Sequence, residues 1–134
     1  MPVNRRRMCG EKRTTEQGFT LLELILVVTI IAILGAIAIP QFAGYRQTAF
    51  DARSKSDLRN CANAEEAYFV GTGDYLDCSD SACETLLPNF RRSHDVTITV
   101  VAANGPQPTF TGSAFTAGGK KTFNYDSAAG GMTN

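Results

Sequence analysis

The sequence lacks tryptophan and contains a single histidine, His94. One histidine cannot supply the paired ligands of a zinc hydrolase motif, and the chain contains neither a nucleophile elbow nor a phosphate-binding glycine loop. Ser93 and Asp95 flank His94, but side chains adjacent in sequence do not make a catalytic triad, which is defined by spatial geometry. We therefore expect no enzyme activity, no cofactor and no metal site.

An excess of either charge is also missing, since 13 basic and 13 acidic residues give a net charge of zero. The two signs are unevenly distributed. Residues 1–18 hold five basic and two acidic residues, a net charge of +3, and the remainder has a net charge of −3. The remainder shows no basic stripe, so we expect no nucleic-acid partner.

Charge is nearly absent from one long segment, which begins at Phe19 and carries only Glu23 before Arg46. It is long enough to cross a bilayer as a helix. A secretory signal peptide has the same order of basic and apolar parts, but it is cut after the apolar part at a small-residue site. Here Pro40, Gln41 and Phe42 follow instead. We therefore expect cleavage before the apolar segment, after Gly18. The alternative is an uncleaved anchor with a short basic cytoplasmic tail.

This junction resembles the N-terminus of type IV prepilins and of type II secretion pseudopilins. The matching residues are Gly18, Phe19, Thr20, Leu21, Leu22, Glu23 and Pro40. Close similarity covers roughly the first half of the chain, and the second half matches in its general plan. The resemblance implies that a prepilin peptidase cleaves after Gly18 and methylates the new N-terminal Phe19.

An acidic residue near the start of a membrane-length segment requires an explanation, because a charge at mid-bilayer costs about 2.5–3.5 kcal/mol. Glu23 lies close enough to the interface to avoid part of this cost. Cleavage would create an amine on Phe19, and in a staggered bundle the Glu23 carboxylate of one copy could pair with the Phe19 ammonium of its neighbour. The resemblance implies the same assembly role for Glu23. The alternative is that Glu23 only reaches the membrane surface.

A second helical stretch follows Pro40, because residues 41–69 contain no proline. We expect a kink or a local loss of helix at Pro40 and continuation to about Val70. At helical spacing, six residues form an apolar arc on one face of this stretch, and we predict that the arc packs on a small head. They are Phe50, Leu58, Cys61, Ala62, Tyr68 and Phe69. Asp57 falls outside the arc, and Asp51 and Glu65 violate the amphipathic pattern.

Three short strands are predicted after the helix, at residues 96–101, 109–116 and 121–125, with a loop before them and turns between them. Residues 127–134 are expected to be loosely held. The predicted fold class is α+β. A long N-terminal helix, half membrane-spanning and half amphipathic, packs on a small three-stranded antiparallel sheet.

The four cysteines leave the disulfide pairing open. Cys9 lies in the predicted leader, so Cys61, Cys78 and Cys83 would remain in a compartment that permits disulfides. Cys78 and Cys83 share one loop and form the favoured pair, with Cys61 as an alternative partner of either. Four acidic residues in and near this loop could bind calcium, as in some pseudopilins, although their spacing does not match an EF-hand. They are Asp74, Asp77, Asp80 and Glu84.

The expected organisation has three parts: a cleaved leader at residues 1–18, a transmembrane and filament-core helix at 19–44, and a head at 45–134. Once outside lipid, the apolar helix has no partner in its own chain, so other copies must bury it. The resemblance, closest to short major type IVa pilins, implies a type IV pilus subunit for adhesion, motility or related surface functions.

The implied location is the bacterial inner membrane, with a cytoplasmic N-terminus and a periplasmic head, followed by an extracellular helical filament. The implied partners are further copies of the chain, prepilin peptidase, the inner-membrane pilus assembly machinery and membrane lipid. Two alternatives remain. One is a pseudopilin forming a short periplasmic filament in type II secretion or DNA uptake, and the other is a membrane-anchored binding module.

Overall fold

A computed structural model of the protein describes residues 18–133. The predicted leader, apart from Gly18, lies outside the described residues. The described residues divide into two compact units, one ending at residue 37 and the other beginning at residue 38. The elements in chain order are helix α1 Leu21–Thr72, strand β1 Cys78–Ser79, helix α2 Ser81–Leu86, and strands β2 Val96–Ala103, β3 Thr109–Thr116, β4 Phe123–Asp126 and β5 Gly131–Met132.

Helix α1 continues without interruption through Pro40. The predicted local loss of helix is therefore wrong, because the missing amide of Pro40 removes one hydrogen bond while neighbouring turns keep theirs. A kink at Pro40 stays a prediction. The helix ends two residues beyond the predicted Val70. Gly73, at φ 82°, then donates its N–H to the Phe69 carbonyl at 2.8 Å. Glycine suits this left-handed position because it has no Cβ.

The α+β fold class is confirmed, but the sheet has five strands instead of three. All neighbouring strands pair antiparallel in the order β1 to β5. The two additional strands, β1 and β5, have two residues each, which is too short to show the alternation that identifies a strand in sequence. Strand β5 also corrects the expectation of a loose tail, because Met132 pairs with Tyr125.

Two further boundaries differ from the prediction. The predicted loop before β2 contains helix α2. Strand β4 begins at Phe123 instead of at residue 121, because the N–H groups of Lys120 and Lys121 donate to Asp51 Oδ1 at 2.8 and 3.1 Å. These amides bind the helix and are not free to pair with another strand.

The core lies between the second half of α1 and one face of the sheet. Leu58, Cys61 and Ala62 of the predicted arc are buried, and the other three members are half-buried. Inward-facing residues alternate along β2 and β3, as expected for a sheet with one covered face. They are Val96, Ile98, Val100, Phe110, Gly112 and Ala114.

Helix and sheet pack closely at Gly112. A Cβ at this position would lie 3.0 Å from Leu58 Cδ1, so a larger residue would displace the leucine. The missing side chain of glycine is therefore what lets Leu58 fill the centre of the core.

Asp57 was predicted to lie outside the buried face of the helix, and this prediction is wrong because its side chain is buried. Its Oδ2 atom accepts the Ser93 N–H at 2.7 Å. Asp51, which also broke the amphipathic pattern, binds the turn before β4. Acidic residues on the inner side of α1 thus satisfy backbone donors of the loops that cover the helix.

Candidate functional site

The N-terminal segment of α1 presents a continuous apolar surface. Helix α1 contains an 18-residue window of mean hydropathy 2.9, of which no residue is buried. By length and composition it is the one helix among residues 18–133 able to cross a membrane. Phe19, just before it, is 89% exposed. An apolar surface of this extent is covered in a working protein by lipid or by another protein.

Thr20 and Glu23 form a reciprocal cap at the start of α1. The backbone N–H and the hydroxyl of Thr20 both donate to Glu23 Oε2 at 3.0 Å. The Glu23 N–H in turn donates to Thr20 Oγ1 at 3.2 Å. This is a capping box, in which the first residue and the one three positions later satisfy each other's free amides.

The cap fixes the position of the Glu23 carboxylate at the N-terminal end of the helix, close in sequence to Phe19. It also places negative charge at the positive end of the helix dipole. Both hydrogen bonds from Thr20 end on Oε2, and neither uses Oε1. Sequence reasoning missed the role of Thr20, although the Thr-x-x-Glu pattern in Thr20-Leu-Leu-Glu23 signals it.

Gly18 is not required by the folded chain. An added Cβ would meet no atom within 4 Å among the described residues. Packing among residues 18–133 therefore does not require glycine at this position.

Comparison with known proteins identifies the family to which the chain is similar. Residues 13–39 match the family described as "Prokaryotic N-terminal methylation motif". The chain is similar to the "Type IV wide pilus major component PilA4" of Thermus thermophilus, at 33% identity over 88 residues, which is 66% of each chain. It is also similar to the "Type IV major pilin protein PilA" of Myxococcus xanthus, at 39% identity over 61 residues, 46% of this chain and 28% of the relative.

The chain belongs to the type IV pilin and pseudopilin family. A third relative, the "Type II secretion system core protein G" of Aeromonas hydrophila, is 30% identical over 64 residues, 48% of this chain and 45% of the relative. Across these three relatives the chain spans between 28% and 66% of their length.

Outside the N-terminal motif of this pilin-family chain, the structure brings three cysteines together. Cys78 and Cys83 are joined, with Cα atoms 5.0 Å apart, and Cys61 is a buried free thiol. All three Sγ atoms lie within 4.8 Å of one another. The sequence placed Cys61 on the helix face and the other two in a loop, and only the fold brings the loop onto that face.

Glu65 lies beside this sulfur cluster, one helical turn after Cys61, and is fully buried. Its Oε2 atom accepts the Leu76 N–H at 3.0 Å, and its Oε1 atom lies 3.9 Å from Cys78 Sγ. Burial raises the pKa of the Glu65 carboxyl, and the nearby Asp77 adds to the effect. Burial likewise raises the pKa of the Cys61 thiol to about 12.

Three of the four acidic residues that were considered for calcium accept backbone N–H groups. Asp77 Oδ1 accepts the Ala102 N–H at 2.7 Å, and Asp80 Oδ1 accepts the Ile98 N–H at 3.0 Å. Glu84 Oε1 accepts the N–H of Arg92 at 2.9 Å. These bonds fix the segment around α2 to strand β2 and to the chain that follows α2.

His94, the single histidine, has a fully exposed side chain, whose Nδ1 atom lies 3.0 Å from Asp95 Oδ1. This hydrogen bond lowers the pKa of the Asp95 carboxyl. An imidazole so exposed is surrounded by water, as expected of a surface loop residue.

Proposed function

We propose that the protein is the structural subunit of a type IV pilus, polymerised through the apolar part of α1 into a helical filament. The observation that carries the proposal is the exposed apolar surface of α1, preceded by a capped acidic residue. The match of residues 13–39 to the N-terminal methylation motif supports the same function, and so does the similarity of the chain to major pilins. A filament subunit acts by packing against copies of itself and needs no catalytic group.

Processing and register follow from the N-terminal geometry. In this proposal a prepilin peptidase cuts after Gly18 and methylates Phe19. The Glu23 carboxylate, held at the helix end by Thr20, then accepts the Phe19 ammonium of a neighbouring copy. In an apolar filament core an unpaired charge is strongly unfavourable, so this pairing would select one axial register.

The proposed organisation keeps three parts: leader 1–18, core helix 19–44 and head 45–134. Before assembly the subunit would be held in the inner membrane, with its N-terminus in the cytoplasm and its head in the periplasm. Membrane lipid, the peptidase and the pilus assembly machinery are the proposed partners at this stage. After assembly the filament would lie outside the cell.

The test is electron microscopy of sheared surface fractions from cells with the gene, without it, and with it restored. We expect long filaments that disappear on deletion, return on restoration, and contain this chain by mass spectrometry. Filaments of unchanged number and length in the deletion strain would contradict the proposal.

A second candidate is a pseudopilin, favoured specifically by the similarity to the core protein G of a type II secretion system. Such a subunit would form a short periplasmic filament. In that case the sheared fractions would contain none of this chain, while deletion would leave secreted proteins in the periplasm. Measuring both fractions in the same strains separates the two candidates.

A further inference from the structure

The sulfur cluster of Cys61, Cys78 and Cys83 places a free thiol directly beside a disulfide. Cys61 and Cys83 are fully buried and Cys78 is 7% exposed. Every pair of Sγ atoms lies within 4.8 Å, so small side-chain movements would bring Cys61 into contact with either bonded sulfur. A thiol this close to a disulfide can exchange with it.

We propose that these cysteines form an intramolecular thiol–disulfide exchange site, in which Cys61 replaces Cys78 as the partner of Cys83. The Cys61 thiolate attacks Cys83 Sγ and forms the new S–S bond. The bond between Cys78 and Cys83 breaks, and its electron pair leaves on Cys78 Sγ, which takes up a proton. One disulfide and one thiol are present before and after, so the step needs no external oxidant or reductant.

Glu65 decides which sulfur leaves. Its Oε1 atom is 3.9 Å from Cys78 Sγ, so it can donate a proton to Cys78 when that sulfur becomes a thiolate. The carboxylate can first take the proton from Cys61, which lies one helical turn away. Glu65 is therefore a positioning and proton-transfer residue, and the exchanged product has a Cys78 thiol next to a carboxylate that can accept its hydrogen bond.

The charged groups around the cluster are mostly acidic. Asp57 and Glu66 come from α1, and Asp77 comes from the segment before β1. The hydroxyl of Tyr75 donates to Glu66 Oε2 at 3.1 Å. This acidic environment and burial both oppose the thiolate, so exchange should be slow at neutral pH and faster as pH rises.

Exchange would change what the disulfide holds together. The Cys78–Cys83 bond joins β1 to α2 within a short segment of sequence separation 5. A Cys61–Cys83 bond would join α1 itself to α2. The longer closed segment restricts the unfolded chain more strongly, so exchange would convert a local loop closure into a link between the long helix and the head.

The direct test uses the full-length protein purified in detergent and incubated from about pH 6 to about pH 9, where the thiolate fraction changes strongly. Samples are quenched with acid, labelled with a maleimide in acidic denaturant, digested with pepsin and mapped by mass spectrometry. We expect label on Cys61 at first and on Cys78 later, with a Cys61–Cys83 peptide increasing faster at higher pH. Among Cys61, Cys78 and Cys83, label confined to Cys61 throughout would overturn the proposal, and label on Cys83 would overturn the assigned direction.

Two substitutions of Glu65 test whether its side chain acts by proton transfer or only by packing. Glu65→Gln should slow exchange at neutral pH severalfold and leave a rate that rises about tenfold per pH unit with the thiolate fraction. Glu65→Asp should restore part of the neutral rate. An unchanged rate and pH profile in Glu65→Gln would contradict the role of Glu65.

Cys78→Ser supplies a test that does not depend on the exchange rate. This variant keeps Cys61 and Cys83, which should form a disulfide within one chain under mild oxidation with glutathione disulfide. Cys61→Ser serves as the matched control and should retain the Cys78–Cys83 bond. If Cys61 and Cys83 both stay free in Cys78→Ser, under conditions that reform the bond in Cys61→Ser, Cys61 does not reach Cys83.

Discussion

Two parts of helix α1 differ in the burial of their apolar side chains and in the hydrogen-bond partners of their acidic side chains. Near its start, large apolar side chains such as Leu26 are more than half exposed, and among residues 18–133 the Glu23 carboxylate bonds to Thr20. Further along, Leu58 is buried in the core, and Glu65 bonds to an amide of a distant loop. Within the described residues, the later part of the helix packs against the head, and the apolar part is left exposed.

The comparison shows how one helix can serve two kinds of interface. The head is completed by contacts within the chain, so its acidic residues serve the fold. In the proposed filament, lipid or other copies cover the apolar part, and its acidic residue serves assembly. Variants at matched positions in the two parts should therefore affect different properties.

The largest effect is expected for Glu23→Val. Membrane insertion and cleavage should remain, because the change makes the segment more apolar, but filament assembly should be abolished when the Phe19 ammonium loses its partner. Immunoblots of membrane and sheared fractions would measure both. Thr20→Ala is the control, since it removes the hydroxyl of the cap and keeps the carboxylate, so it should assemble. Wild-type filament yield from cleaved Glu23→Val would contradict the pairing.

A core substitution should instead destabilise the head. Leu58→Ala is expected to lower the free energy of unfolding by roughly 2–5 kcal/mol, because it leaves a cavity against Gly112. Denaturant unfolding in detergent, followed by the near-ultraviolet signal of the tyrosines, would measure it. Leu26→Ala is the matched control and should leave the unfolding of the head within about 0.5 kcal/mol of wild type. Equal losses from both variants would remove the distinction between the two parts.

The buried Glu65 should make stability depend on pH. Because its pKa is raised in the folded state, the folded chain holds this proton more tightly than the unfolded chain. Stability from this group is therefore greatest below the unfolded pKa and decreases as pH rises through the folded pKa. Glu65→Gln should remove this decrease, so the variant should gain stability relative to wild type towards neutral pH. Parallel stability–pH curves for the two proteins would show that Glu65 does not cause the effect.

The smallest effect is expected for Asp51→Ala, which removes the acceptor for two backbone N–H groups in the turn before β4. Since this turn is exposed and water can replace the carboxylate, a loss of about 1 kcal/mol is expected. Faster hydrogen exchange confined to the amides of Lys120 and Lys121 would locate it. Asp51→Asn keeps an acceptor oxygen and should lie between Ala and wild type. Unchanged exchange in Asp51→Ala would mean that the bonds do not hold the turn.

Local patterns predicted the parts of the fold that depend on neighbours in sequence. The apolar arc of α1 and the alternation in β2 and β3 were visible because burial on one face repeats with the period of the element. Strands β1 and β5 were missed because two residues carry no period. Their pairing depends on partners elsewhere in the chain.

The acidic residues of α1 show why the site was only partly predictable. Asp51 and Glu65 were recognised as exceptions to the pattern, but their partners are amides of remote loops, which no spacing reveals. Asp57 was wrongly placed on the exposed face for the same reason. Glu23 was singled out as unusual, but its local partner Thr20 was missed, although the Thr-x-x-Glu pattern indicates it.

The proposed filament requires that the apolar segment stay on the mature chain and that this chain begin at Phe19. The decisive measurement is mass spectrometry of the N-terminal peptide from purified filaments. The account predicts a chain that begins at methylated Phe19, with residues 1–18 absent. Assembled chains that retain those residues, or that begin beyond Pro40, would contradict it.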